Sequence, residues 1–544
     1  MPASLLPVLI VGAGPVGLTL AAEMARHGVT FRIVDKAPTT KDISKALILH
    51  VRTQEVLDAA GLGTTLFQQG QPLRRVEIIG YGKHIGHGTM EGIISPHPYP
   101  LIIGQNVTER FLRQHLEGLG GQVEWQTEAV GLTQEPEQVE VRLRRADGSE
   151  ETVRAQYVVG ADGTHSKVRE AIGVDFSGYP YSGQAFIQAD SKIEWSLPRG
   201  SSYLWFTELG YMMVIEMPGG IVRTFISVPD NDPRKRDTTL GEVNETLNRL
   251  GGVDARLYDP VWVALFRTNH RAAPSFRKDR VFLAGDAGHE HVPIGGQGMN
   301  TGIQDAFNLG WKLSYVLQRK ANEAILDSYN RERHPVAENL LKGTDEAYTR
   351  LLKAGDAAKY AIRMFGPFVF GNQKMREGIR DIIEEVNINY KNSPLTEDHG
   401  GSDGPEAGDR ALDAEVVVAQ GKHPTRLREL LHGKHWTLLG MSGRGASVED
   451  LQVLGKLLET LAVKFADTVR SYLVLGDWQP PAFETSVPLV FDRVGQAHSQ
   501  YGVAHPCVYV IRPDQYVAFR GPLEAARGHL LEFLSKVLRG AVTL

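Results

Sequence analysis

The sequence predicts an α/β protein of several domains, and three observations predict it. Residues 8–35, VLIVGAGPVGLTLAAEMARHGVTFRIVD, read as a strand, a glycine turn, a helix and a second strand. Residues 281–317 make a second strand-to-helix passage around another glycine-rich turn. Between the two lies a stretch dense in alternating aromatic, aliphatic and polar residues, the pattern of a mixed β-sheet.

The first unit carries the most specific signal. Residues 8–11 are a short apolar run suited to a buried parallel strand. Gly12, Gly14 and Gly17 then form G-x-G-x-x-G around Ala13, Pro15 and Val16. Gly12 permits the tight turn, Gly14 lets a pyrophosphate reach the backbone, and Gly17 lets helix and strand pack closely. The helix opening there offers unpaired N–H groups to phosphate. Leu18, Ala21, Ala22 and Ala25 follow at helical spacing, Gly28 closes the helix, and residues 30–34 form a strand ending at Asp35, placed to accept from a ribose. This is a Rossmann-like dinucleotide unit, and by itself it does not separate FAD from NAD.

Two further motifs lie far along the chain. At residues 157–169, YVVGADGTHSKVR, a strand runs into Asp162 between glycines, with Lys167 and Arg169 beyond. At residues 281–300, VFLAGDAGHEHVPIGGQGMN, a strand over 281–284 meets Gly285 and Asp286, Pro293 stiffens the loop, and Gly295, Gly296 and Gly298 lead into a helix beginning near Met299 or Asn300. So many glycines at one junction imply that something large approaches the main chain. Ala306, Leu309, Leu313, Val316 and Leu317 supply the buried face of that helix.

Bulk properties narrow the class. The chain has 544 residues, too many for one core. Its formal net charge of -5 and the absence of long Lys/Arg runs argue against a nucleic-acid partner. A single cysteine, Cys507, excludes an internal disulfide and a thiolate cluster, and no metal-ligating set is expected. The N-terminus reads as a first strand rather than a signal peptide, and no run of about 18 apolar residues calls for a membrane span. A cytoplasmic location is expected.

The order GAGPVG…D, GADG with a following Arg, and GDAGHEHVPIGGQGMNTGIQDAFNLGWKL resembles the flavin-dependent aromatic hydroxylases, the single-component (class A) flavoprotein monooxygenases related to phenol hydroxylase and p-hydroxybenzoate hydroxylase. The resemblance is specific over residues 5 to about 345 and weaker beyond. It implies FAD as cofactor, NADPH or NADH as cosubstrate, and transfer of one oxygen atom from O2, through a C4a-hydroperoxyflavin, to an aromatic, phenolic small molecule. It implies a flavin ring against the glycine-rich loop, with the main-chain N–H groups around Gly298, Met299 and Asn300 at its pyrimidine edge. The cofactor set it implies is Gly12, Gly14, Pro15, Val16, Gly17, Asp35, Lys36, Lys45, Gln105, Asp162, Gly285, Asp286, Pro293, Gly296, Gly298, Met299 and Asn300. Lys45 stands where relatives usually carry Arg, keeping the charge and losing the fork of donors. Arg113, on the helix after Gln105, reads equally as a solvated residue, and Arg52 as the partner of Glu55.

On the substrate side, the phenol-hydroxylase relatives use an acid, an Arg and a Tyr. The aligned positions are Leu47, Arg223 and Phe225, so only the Arg is kept. Arg223 is the candidate to stabilise a phenolate, His50 and Tyr211 are candidates for the base, and Pro293 completes the catalytic set. A substrate already ionised at neutral pH needs no base. Tyr203, Trp205, Phe206, Tyr211, Met212 and Phe225 alternate with polar residues, and some of them should face the cofactor.

The expected organisation is FAD-binding residues 1–173, an inserted mixed-sheet substrate domain at 174–275, an FAD-domain return and helical region at 276–391, a Gly/Pro-rich acidic linker at 392–413, and a C-terminal thioredoxin-like α/β domain at 414–544 without C-x-x-C. That last domain is expected to be structural or to support a homodimer. Two alternatives stay open: a same-fold oxygenase of Baeyer–Villiger or antibiotic-modifying chemistry, and a low-turnover flavin-binding partner protein.

Overall fold

The computed structural model describes residues 5–40, 44–180, 184–229, 238–267, 269–290, 294–353, 355–419, 423–431, 433–476 and 483–540. Three large sheets organise them.

The first sheet has eight strands. Its parallel centre runs in the order Val281–Leu283, Glu150–Gly160, Leu6–Val11, Phe31–Val34 and Val123–Glu124. Val8, Leu9 and Ile10 are fully buried, as an apolar run flanked on both sides by strands must be. The helix Pro15–Arg26 starts with Pro at its first position, where the missing N–H costs nothing, and stops before Gly28 at φ +72°. It packs against the helix Gly298–Leu317, which begins within one residue of the position expected from sequence.

The second sheet has seven strands in the order Ala255–Phe266, Gln184–Trp195, Val222–Pro229, Gly210–Glu216, Ser202–Thr207, Arg75–Gly80 and Lys83–Thr89. The last two come from the segment assigned by sequence to the FAD-binding part, so this layer is not a simple insertion of residues 174–275. Ser202–Thr207 pairs in parallel with Arg75–Gly80, with Trp205 opposite Ile79. Strand alternation sorts the aromatic residues. Tyr203, Trp205, Met212, Val214 and Ile226 join Val243 and Leu247 of the helix Leu240–Gly251 in one core. Phe206, Tyr211, Met213 and Phe225 point the other way, into a cavity against the first sheet.

The third sheet has eight strands and carries the helices Val448–Lys464 and Leu523–Val537. Cys507 lies in its strand Cys507–Ile511, and burial pushes the thiol up to about 12, leaving it protonated and inert.

Residues 392–413 are not a free linker. Glu397–Asp398 adds an edge strand to the third sheet, Asp398 accepts from Arg520, and Arg410 is buried against Glu55 of the first domain. The glycines that suggested flexibility serve close contacts instead: a Cβ on Gly408 (φ +98°) would lie 2.4 Å from Lys391 N. The domains are tied by buried charge. Glu332 receives Lys312 at 2.6 Å and the two Arg512 nitrogens at 2.7 and 2.8 Å, and Arg52 bonds both Glu55 and the Asp514 carbonyl. Lys312, Glu332 and Arg512 side chains are all at 0% exposure.

Candidate flavin and substrate site

A cavity of about 2400 Å³ runs from the first glycine turn to the second sheet. Its phosphate end is built by contacts that only glycine allows. A Cβ on Gly12, at φ +105°, would sit 2.3 Å from the Ala161 carbonyl oxygen, and one on Gly17 would sit 1.9 Å from that of Gly12. A Cβ on Gly14 would meet nothing within 4 Å, so this residue faces open cavity. Pro15 has no N–H, and Val16 and Gly17 stand in the first helical turn, where no intrahelical acceptor exists. The Val16 side chain fills a notch between Gly285 and Gly302, each of whose Cβ atoms would lie 2.7 Å from its Cγ2. Asp35 accepts from Ala13 N at 2.7 Å and Ala37 N at 2.8 Å, which fixes the turn while its carboxylate borders the cavity. Lys36 is exposed at the rim.

Farther in, Asp286 opens onto the cavity and no described residue hydrogen-bonds its carboxylate. Burial raises its pKa, with His289 and Lys45 pulling the other way. The turn beneath it is held from the helix Gly298–Leu317: Asp305 accepts from Gly285 N at 3.1 Å and from His289 at 2.7 Å, and Arg333 bonds Asp305 at 2.6 Å. Asp162 is differently placed. It accepts from Ser166 Oγ and the N–H groups of Lys167 and Val168, capping the helix Lys167–Ala171. Arg169 bonds the carbonyls of Ala287 and Thr164, tying this loop to the Asp286 turn. Gln105 accepts from Ala46 N and donates to Glu109, which positions the Lys45 loop. Lys45 itself is exposed on the cavity wall. Arg113 pairs with Glu117 on its own helix and lies outside the cavity lining.

The glycine-rich loop has Gly295 at φ +77° and Gly296 at φ +72°, successive left-handed residues that side chains rarely adopt. Pro293 lies outside the described residues. Asn300 bonds the carbonyls of Ile48 and Gly296 and receives His50 N at 2.9 Å, so its side chain locks the loop to the residues before the helix Val51–Ala59. The N–H groups of Gly298, Met299 and Asn300 form the first helical turn beside the cavity and have no intrahelical acceptor. His50 is buried, with Nε2 2.8 Å from the Gly295 carbonyl and Nδ1 3.2 Å from Glu384. Both ring nitrogens face acceptors, which suits an imidazolium. Burial opposes the charge, but Glu384, Glu385 and the Gly295 carbonyl outweigh it and raise the pKa above 6.5.

The far lobe is apolar, lined by Val76, Leu204, Phe206, Tyr211, Met213, Ile215, Phe225 and Phe266 from the second sheet, by Leu73 just before it, and by Ile362, Phe365 and Val369 from the helix Gly355–Gly371. Arg223 borders it but is spent on protein contacts. It forms a bidentate pair with Asp190 at 2.8 and 2.7 Å and donates to the carbonyls of Ser44 and Lys45 at 2.8 and 3.0 Å. Trp262 also donates to Asp190, at 2.8 Å. Tyr211 stacks on Phe225 at 5.6 Å.

The family model described as FAD binding domain matches residues 6–344, and that of the phenol hydroxylase C-terminal dimerisation domain matches residues 488–541. The chain belongs to the single-component FAD-dependent aromatic hydroxylases. It is 32% identical over 530 residues to 6-methylpretetramide 4-monooxygenase of Streptomyces rimosus, covering 94% of this chain and 90% of that one. It is 31% identical over 537 residues to pentachlorophenol 4-monooxygenase of Sphingobium chlorophenolicum, covering 96% and 95%. Among solved structures, CabE, an aromatic hydroxylase from angucycline biosynthesis, superposes with a TM-score of 0.74 at 28% identity over 98% of this chain and 99% of that one.

This aromatic hydroxylase is a flavoprotein monooxygenase that uses FAD, NAD(P)H and O2 on a small aromatic substrate. The residues fit the cofactor: Gly14 leaves room for a pyrophosphate, the unpartnered Asp286 carboxylate can accept from hydroxyls, and the first turn of Gly298–Leu317 offers N–H groups across the cavity from the second sheet. Sequence reasoning missed the residues that hold this frame. Arg333, Glu384 and Glu385 stand near no motif, Asp305 lies within the glycine-rich motif's helix but carries no local sign of its partners His289 and Arg333, and Asp190 lies 33 positions from its partner Arg223. Gly302, at helical spacing from Gly298, was the one whose signal was present.

Proposed function

We propose that this hydroxylase acts on a large, apolar phenol that enters as the phenolate. The observation that carries the reading is that the charged groups expected to ionise a phenol are already committed. Arg223 is saturated by Asp190 and two carbonyls, and both His50 nitrogens are engaged. Tyr211 also lines the cavity wall, stacked on Phe225. The cavity of about 2400 Å³, whose apolar lobe includes Leu73, Val76 and Val369, has room for more than one ring. The relatives named for pentachlorophenol, an acidic phenol, and 6-methylpretetramide support the same class.

In this reading Gly12, Gly14, Pro15, Val16, Gly17, Asp35 and Lys36 hold the adenosine diphosphate half of FAD. Lys45, Gln105, Asp162 and Asp286 hold its middle, and Gly296, Gly298, Met299 and Asn300 hold the ring. Bound FAD supplies two-electron reduction by NADPH or NADH and oxygen activation. The protein's part is to bind, orient and exclude water. The first turn of Gly298–Leu317 favours negative charge at the ring edge through its N–H groups and dipole. Asn300 and the His50–Glu384 pair keep the Gly295–Gly296 peptides in place, and Arg223 holds the Ser44–Lys45 loop against the substrate sheet. The aromatic wall keeps the lobe dry, which protects oxygen transfer from loss as peroxide.

The C-terminal unit is read as thioredoxin-like. Its strands run Val469–Leu475, Trp436–Met441, Cys507–Ile511, Val517–Pro522, with the first two parallel and joined by a helix, the last two antiparallel, and a final helix after them. This is a βαβ…ββα plan without the redox cysteines, and it is proposed to support a homodimer. No helix among the described residues is long and apolar enough to cross a membrane, and a cytoplasmic location is proposed with that.

The test is NAD(P)H oxidation by the flavin-loaded enzyme against phenols of one to four rings and graded acidity. The expected result is oxidation stimulated most by acidic, multi-ring phenols, with a ring-hydroxylated product one oxygen atom heavier. Stimulation that follows phenol basicity, or a lactone product, would overturn it.

A further inference from the structure

The histidines of the C-terminal region hold a site that the hydroxylase chemistry does not use. Glu397 stands on the edge strand and His399 just past its end, where its N–H still donates to the Arg520 carbonyl, so the extended chain puts both side chains on one side. The helix Leu523–Val537 packs over that side of the sheet and brings His529 to the same place. The ligand-capable atoms of Glu397, His399 and His529 all lie within 4.8 Å of one another. His399 Nε2 is 2.7 Å from Glu397 Oε1, and the His399 and His529 rings are 4.5 Å apart at an interplanar angle of 17°.

We propose that Glu397, His399 and His529 form a divalent transition-metal site, of the kind that takes Zn2+. Two imidazoles and a carboxylate are the donor set this ion accepts, and water completes four-coordination. At zinc–ligand distances of about 2.1 Å the donor atoms of a tetrahedral site sit about 3.4 Å apart, so side-chain rotation from the present spacing closes it. Binding replaces the His399–Glu397 hydrogen bond with two metal–ligand bonds. Glu532 and Lys536, one helical turn and two from His529, pair with each other at 2.9 Å. Of these, Glu532 adds to the negative potential at the site and Lys536 opposes it. The metal would pin residues 397–399 to the last helix of the family's dimerisation domain, which spans residues 488–541. No sequence motif marks the site, because His529 is 130 positions from His399.

The experiment titrates Zn2+ into EDTA-stripped, flavin-loaded enzyme by calorimetry, with Co2+ as a spectroscopic probe of coordination. One Zn2+ per chain at micromolar affinity, with a cobalt d–d band of a nitrogen–oxygen site, is expected. His529→Ala, on an exposed helix face where Ala is a good helix former, should weaken binding by at least about tenfold, the lower end of what disturbing even outer-shell partners of a metal costs. Glu397→Gln should weaken it similarly, while NAD(P)H oxidation stays at the level of the unaltered enzyme in both. Absence of binding at 100-fold the protein concentration would overturn the proposal. So would binding unchanged in both variants, which would mean an adventitious ion only, held by other histidines among the chain's 18.

Discussion

Replacing Arg223 separates two roles for this residue. In the structure its guanidinium makes four charge-assisted or carbonyl bonds, two to Asp190 and one each to Ser44 O and Lys45 O, at 4% side-chain exposure. Arg223→Met leaves Asp190 buried with Trp262 as its remaining hydrogen-bond donor, a defect of about 3–5 kcal/mol when one partner of a buried pair is removed. Arg223→Lys keeps the charge but loses the fork, so about 1–3 kcal/mol is expected from the unsatisfied acceptors. Because the bonds to residues 44 and 45 hold a loop on the cofactor wall, FAD affinity should fall with stability in both variants. The assay is denaturant unfolding followed by flavin release, with a parallel FAD titration of the apoprotein. If Arg223→Lys keeps wild-type stability and FAD affinity but no longer perturbs the spectrum of a bound phenolate, the residue serves the substrate and the staple argument fails.

Other substitutions test the remaining parts of the frame. Gly12→Ala should yield a colourless protein, since its Cβ would meet the Ala161 carbonyl at 2.3 Å, whereas Gly14→Ala should fold with normal apoprotein melting and lose only FAD affinity; equal melting losses in the two would refute the distinction. His50 has a raised folded pKa, so its contribution to stability is complete below the unfolded value near 6.5 and is lost as pH rises through the folded value. Unfolding free energy compared at pH 6 and pH 9 should therefore drop more in the wild type than in His50→Gln. Glu332→Ala leaves Arg512 with Asp514 and Lys312 with only the Asn308 side-chain oxygen, and should cost about 3–5 kcal/mol. Limited proteolysis should then begin within residues 392–413, and an unchanged digestion pattern would show that the network does not join the domains.

Much of the cofactor side was legible in the sequence because each feature there is local. Glycines at 12, 14 and 17 between an apolar run and a helical pattern fix the turn whatever surrounds them, and Asp35 follows at the distance that one helix and one strand require. The same holds for the strand and helix flanking Gly295, Gly296 and Gly298. The linker reading failed because glycine-rich composition fits both a free chain and one packed backbone to backbone, and only the contacts of Gly408 and Arg410 distinguish them.

What the sequence by itself determined is the set of backbone turns and the side-chain periodicities, since steric limits and strand alternation act over a few residues. The tertiary structure alone decided which of the alternating aromatics face the cavity, that Arg223 belongs to Asp190, that Glu384 holds His50, and that strands from residues 75–89 complete the substrate sheet. Those outcomes depend on charges and edges meeting across tens to hundreds of residues. Burial made their pairing obligatory, because a buried charge without a partner is too costly to keep, but no short-range pattern names the partner.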